Sequence, residues 1–156
     1  MEILIRRVRD PFGWMGNMSP HPIRWEGQEF RTSEALFQAL RFLKGSEAWE
    51  AIRAEKSPMG AKMRAKTLLG EAIISPRSPE DVNNMRLVLR AKLTQHGNLV
   101  PRLLETGTAR LIEDCTARPT DSGLFWGMAR TADGWTGENM LGRLWEELRS
   151  ELQESP

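Results

Sequence analysis

Apolar residues recur along this chain mostly at helical spacing, and they crowd most densely between Ala35 and Leu43. Ala35, Leu36, Phe37, Ala39, Leu40, Phe42 and Leu43 leave few faces for water, so the pattern predicts a largely buried helix over residues 32 to 43. Thr32 can cap its first turn through the side-chain hydroxyl, and Ser33 and Glu34 place oxygens where the helix dipole favours them. Three polar residues interrupt the run. Glu34, Gln38 and Arg41 stand at i, i+4 and i+7, so their side chains share one side of the helix. Two readings of this stripe are open. It is a solvent-facing edge, the commoner use of such a pattern, or it faces a cavity in which Glu34 acts as acid or base and Gln38 and Arg41 touch a ligand.

Before this helix, residues 2 to 8 predict a short strand with Ile3 and Ile5 on one face. Residues 10 to 22 form a loop by their Gly, Pro, Asn and Ser content, and Trp14, Met15 and Met18 must pin it against something apolar. A loop pinned in this way can present Asn17 and Ser19 at fixed positions. Ile23 to Trp25 and Gln28 to Phe30 flank Glu26-Gly27 as a tight hairpin that leads straight into the buried helix.

After it, Ser46 caps a helix running to about Lys56, with Trp49 and Ile52 on its inner face. Ser57-Pro58 opens another through Met59, Met63 and Leu68 that ends near Gly70. Ser78 to Asp81 has the spacing of a capping box, with Asp in place of Glu, and Val82, Met85, Leu89 and Leu93 repeat on one face behind it. A short helix from Asn98 to Thr106 closes at Gly107, and Arg110 to Asp114 reads as a strand. Residues 114 to 138 are irregular, rich in Thr, Asp and Gly, and their Trp and Phe content argues for a functional loop. Asn139 caps the last helix, whose Leu141, Leu144, Trp145, Leu148 and Leu152 make one apolar stripe. With Gly137, Asn139 leaves backbone N–H groups at a positive helix end that suits a phosphate. The expected fold is therefore helix-dominated α+β, a single compact domain of about five or six helices and a few short strands, including an N-terminal hairpin.

Composition narrows the function classes. With 156 residues, 40% of them hydrophobic and 28% charged, the chain has enough material for one real core. Its N-terminal apolar run is too short for a signal peptide or a membrane span, so a cytoplasmic protein without a membrane partner is expected. One Cys and two His exclude an internal disulfide framework and a Cys/His zinc cluster, and no metal is expected. Cys115 reads as a small buried hydrophobe rather than a nucleophile. A net charge of +1 gives no strong field for nucleic acid, although a local basic groove is compatible with it. Six Trp without a Tyr is unusual, and Trp14, Trp126 and Trp135 sit in Gly-rich contexts as stacking candidates.

Several pieces taken in order resemble the NADAR family, the YbiA-like N-glycosidases. They are Gly16-Asn17-Met18-Ser19-Pro20; the hairpin followed by Thr32-Ser33-Glu34 and Phe37-Gln38-Ala39; Met85-Arg86 with Arg90-Ala91-Lys92; and Leu103-Leu104-Glu105-Thr106-Gly107. Trp126-Gly127 and Gly137-Glu138-Asn139-Met140-Leu141-Gly142, with Arg149 downstream, complete the set over nearly the whole chain. The resemblance implies one domain over residues 1 to 156 and a hydrolase that cleaves the bond between a phosphate-bearing ribose and a base-like amine. The implied partner is a phosphoribosyl or ADP-ribosyl molecule: a pyrimidine intermediate of riboflavin biosynthesis, or ADP-ribose on guanine, including ADP-ribosylated single-stranded DNA. No cofactor is implied. A non-catalytic reader of ADP-ribose or nucleotide phosphate is the alternative.

On this resemblance Glu34 is the catalytic carboxylate, Asp121 the second carboxylate, and Arg41 a phosphate or ribose contact. Asn17, Ser19, Gln38, Trp126, Gly127, Gly137 and Asn139 bind substrate, with Trp126 stacking on the base and the Asn139 helix end holding phosphate. The chain departs from the family pattern in three places. Arg41 stands where Phe-Gln-Ala-x-Lys is expected, and a guanidinium stays protonated and cannot form a Schiff base as a lysine could. Asp121 lies five residues before Trp126 with Gly123 between, displaced from the usual acidic position. Glu34-Ala35-Leu36 replaces Glu-His-Tyr, which removes two polar contacts.

Overall fold

A computed structural model describes residues 1 to 155. Among the described residues, seven α-helices and six short strands make a helix-dominated α+β fold, as expected. No helix among them is long and apolar enough to cross a membrane. The chain divides into two compact units: Asn17–Gln95, and Met1–Gly16 with the segment from His96 onward.

The Asn17–Gln95 unit is built around α1 (Ser33–Ala39), all of whose residues are buried. The hairpin before it pairs β2 (Ile23–Trp25) with β3 (Gln28–Phe30). Glu26 and Gly27 both adopt positive φ, 48° and 85°, the conformation a two-residue turn of this twist needs, and Gly takes its half without strain. Thr32 then accepts a hydrogen bond from the Ala35 N–H at 3.1 Å, which fixes where α1 starts. Around α1 pack α2 (Glu47–Ala54), α3 (Pro58–Thr67) and α4 (Pro79–Gln95). Burying side chains such as Leu36 and Phe37 stabilises this arrangement by roughly 2 kcal/mol each. Phe30 meets Trp49 edge-on at 5.6 Å, and the Trp49 indole N–H donates to Gln28 at 2.8 Å, which ties the hairpin to α2.

One local expectation is revised here. The first helix stops at Ala39 instead of reaching Leu43, because the chain tightens there and the Arg41 carbonyl accepts from the N–H groups of Ile73 and Ile74 at 2.8 and 3.2 Å. Leu43 is left exposed. On α3 it is Ala61 and Ala65 that face inward, while Met59 and Met63 stay about half exposed at 47% and 49%. Small side chains on the inner face let α3 approach α1 closely.

In the other unit β1 (Glu2–Ile5) runs parallel to β4 (Arg110–Glu113), with Ile3 opposite Leu111. The final helix, labelled α7 (Met140–Glu154), packs on β4 with Leu141, Leu144, Trp145 and Leu148 buried. α5 (Leu99–Leu104) is followed by Gly107 at φ 61°, and Arg149 of α7 donates to Thr106 at 2.8 Å. The stretch from 114 to 138 is more ordered than its composition suggests. It contains α6 (Asp121–Trp126), capped by Thr120, and a hairpin of β5 (Ala129–Thr131) with β6 (Gly134–Thr136). Six residues beginning Asp-Ser-Gly carry little intrinsic helix preference, so the capping bond from the Gly123 N–H to Thr120 at 3.0 Å matters more there than propensity.

The close approach of α7 to β4 rests on Gly142, where an added Cβ would lie 2.0 Å from the Leu111 carbonyl oxygen. That oxygen belongs to backbone and cannot move aside without disturbing β4. The roughly 1 kcal/mol that Ala gains over Gly in a helix is therefore outweighed. Gly142→Ala is expected to lower unfolding free energy by about 2 kcal/mol in urea titrations, and an unchanged or raised stability would contradict this packing.

Candidate functional site

The polar stripe on α1 is not a wet surface. Glu34 is 7% exposed and Gln38 5%, and Arg41 reaches the same cluster from just beyond the helix end. Within it Gln38 Nε2 donates to Glu34 Oε1 at 2.8 Å, and Arg41 Nη1 donates to Gln38 Oε1 at 3.0 Å. Arg41 turns its other edge to Asp81 in a two-point fork, Nε to Oδ1 at 2.9 Å and Nη2 to Oδ2 at 2.8 Å. Its guanidinium also lies 4.8 Å over the Phe37 ring.

The Asn17 loop meets the same helix. The Asn17 carbonyl accepts from the Glu34 N–H at 3.1 Å, and the Asn17 side-chain N–H₂ points to Met85 sulfur at 3.1 Å. Asn17 Oδ1 is buried with no hydrogen-bond partner in this structure. Ser19, fully buried, accepts from Lys92 Nζ at 2.7 Å and lies 2.9 Å from His21 Nδ1. Lys92 is itself without solvent exposure, and burial pulls its amine down to about 7. A shallow cleft of about 450 Å³ elsewhere in this unit, lined by residues including Glu55, Ser57 and Arg64, holds none of these groups.

The remaining predicted site residues lie in the other unit. Asp121 is exposed at the first turn of α6, where its charge suits the helix dipole. Trp126 is buried against Phe125, edge-on at 4.9 Å. Gly127 and Gly137 are there for close packing: a Cβ on Gly127 would meet the Glu113 oxygen at 2.3 Å, and one on Gly137 the Gly127 oxygen at 2.6 Å. At the helix end expected to hold phosphate, Asn139 is engaged in hydrogen bonds of its own. The Glu138 and Asn139 N–H groups donate to Leu124 and Gly127 at 2.7 and 3.0 Å. The Asn139 side chain accepts from Glu113 N–H and donates to the Leu111 carbonyl, so it stitches β4 to the start of α7. Of the other stacking candidates, Trp14 packs edge-on against Trp145 at 5.5 Å, and Trp135 carries the Arg130 guanidinium 4.3 Å over its ring. Cys115 is half-buried rather than buried, and burial with Glu113 nearby pushes its thiol up, away from a nucleophile's range.

Residues 5–153 match the NADAR domain. The chain belongs to the NADAR domain family. It is 37% identical over 151 residues to the N-glycosidase YbiA of Escherichia coli K12, covering 92% of this chain and 83% of that one. An N-glycosidase of Nostoc punctiforme is 28% identical over 98% of this chain and 94% of its own length. A chloroplastic riboflavin biosynthesis protein, PYRR of Zea mays, is 30% identical over 92% of this chain but only 24% of its own length. The solution NMR structure of E. coli YbiA superposes with a TM-score of 0.73 at 33% identity, covering 98% of this chain and 87% of that one. These likenesses agree with the expectation of a hydrolase acting on N-glycosyl bonds.

In this NADAR chain the Arg41 departure has a visible partner. The capping box expected at Ser78 is half formed: Ser78 Oγ accepts from the Asp81 N–H at 3.2 Å, yet the Asp81 carboxylate takes the Arg77 N–H and the Arg41 fork instead of returning to Ser78. Lys92 was legible in principle, since it follows Met85 and Leu89 on the apolar face of α4, where a lysine has no ordinary place.

Lys92 also gives the NADAR chain a pH dependence of definite sign. Its amine deprotonates near pH 7 when folded and near 10.5 when unfolded, so unfolding takes up a proton between those limits and stability rises with pH across the window. Urea titrations from pH 7 to 10 should show that rise, at most ~1.4 kcal/mol per pH unit, and Lys92→Met should flatten it. Parallel curves for the two proteins would count against a neutral buried amine.

Proposed function

We propose that this chain hydrolyses the C1–N bond joining a phosphoribosyl or ADP-ribosyl group to a base-like amine, with Glu34 as the catalytic carboxylate. The observation that carries the reading is a buried carboxylate on a rigid, wholly buried helix, hydrogen-bonded on one oxygen by Gln38, in a member of a family with N-glycosidase relatives. As the C1–N bond breaks, its electron pair leaves with the amine and positive charge develops on the ribose. A fixed carboxylate stabilises that charge and can accept a proton from the attacking water, whose oxygen forms the new bond to C1. The departing nitrogen gains a proton in the same overall exchange. Asn17 Oδ1 is suited to accept from a ribose hydroxyl.

Two substrate classes remain in play. Likeness to a maize riboflavin biosynthesis protein supports a phosphoribosylated pyrimidine, and the family resemblance supports ADP-ribose on guanine, free or in single-stranded DNA. A second reading, a non-catalytic ADP-ribose reader, draws on one observation: Arg41 is a permanent cation committed to Asp81 where the family pattern carries a lysine. Release of free base from either substrate class decides for the enzyme, and calorimetric binding of ADP-ribose with no base released from either decides for the reader.

Glu34→Gln keeps the shape of the side chain and should leave the fold intact. It is expected to lower kcat by about 100- to 10,000-fold with little change in KM, equivalent to ~3–5 kcal/mol of lost transition-state stabilisation. Full turnover of both substrate classes by this variant would remove Glu34 from the chemistry.

A further inference from the structure

We infer that Asp81 is a positioning residue for Glu34, acting through Arg41 and Gln38. The inference rests on the proposed catalytic role of Glu34 and deepens it. A glutamine amide fits its space almost equally well in two orientations, so its polarity is set by what lies on either side. Arg41 offers only donors and therefore takes Gln38 Oε1, at 3.0 Å, which leaves Nε2 to face Glu34 at 2.8 Å. A flipped amide would set its carbonyl oxygen against the carboxylate.

Arg41 can hold that direction only if it is held itself. Asp81, an acceptor with no solvent exposure, grips both Nε and Nη2. Asp81 is fixed in turn by the Arg77 N–H at 2.8 Å and by its place in the first turn of α4. The chain of bonds thus runs from α4 to α1, with Arg41 donating both ways, to Asp81 on one side and to Gln38 on the other, and it leaves Glu34 Oε2 outside the chain. Bidentate geometry makes the fork planar, so the position of Arg41 Nη1 follows from Asp81 rather than from the long, flexible arginine stem.

The test combines two readings of Asp81→Asn and Gln38→Ala. Because Asp81→Asn strands a buried guanidinium, the pair Asp81→Leu with Arg41→Met serves as a second variant that removes both charges together. The first reading is the Gln38 side-chain N–H₂ resonance, which should be ordered in the parent protein and averaged by motion in either Asp81 variant. The second is turnover of the N-ribosyl substrate. Asp81→Asn should lower kcat about tenfold with KM nearly unchanged, and should add nothing once Gln38 is alanine. A Gln38 resonance that stays ordered in folded variants, or kcat losses that multiply, would overturn the inference, since a merely structural Asp81 gives that result. If Glu34→Gln keeps full turnover, the catalytic reading falls, and the Gln38 resonance still upholds or overturns the chain of bonds.

Discussion

A helix buried on every side has nowhere to send its polar side chains, and that constraint organises the Asn17–Gln95 unit. Glu34, Gln38 and Arg41 lie on or just past such a helix, so their hydrogen bonds must be made inside the protein. They are met in a line ending at the fully buried Asp81. A buried ion pair is a poor source of net stability, because removing two charges from water costs about as much as their attraction returns. Direction is what the pair supplies. It sets which atom of Gln38 faces Glu34, and a carboxylate held in one geometry suits a reaction whose charge appears at a single carbon.

The other unit solves a different problem with similar means. There the tight contact of α7 with β4 depends on Gly142, and Asn139 closes the junction by bonding to two backbone groups of β4. An asparagine at a helix start is ordinarily read as a cap or an anion site. Here its φ of 53° and its distant partners make it a clasp between elements far apart in sequence.

What was legible in the sequence follows from the range of the forces involved. The Thr32 cap, the Glu-Gly hairpin and the apolar stripe of α7 are set by neighbours a few residues away, and each stands where the pattern placed it. The end of α1 was not legible, because it depends on a carbonyl captured by Ile73 and Ile74. Glu34 and Gln38 could be paired from their spacing alone. The partner of Arg41 could not, since Asp81 lies forty positions on and carries a local capping signature that hid its other use. The short helix α6 was not legible for the opposite reason: its opening Asp, Ser and Gly are poor helix formers, and the capped first turn and its packing make it helical.

The fork between Arg41 and Asp81 has a consequence for what either position can carry. A lysine at 41 offers one point of attachment where the fork needs two, and a neutral side chain at 81 strands a buried cation. A single change at either position loosens the fork or leaves its partner uncompensated. The two side chains therefore act as one element of the cluster, and each gives the other its reason for being charged.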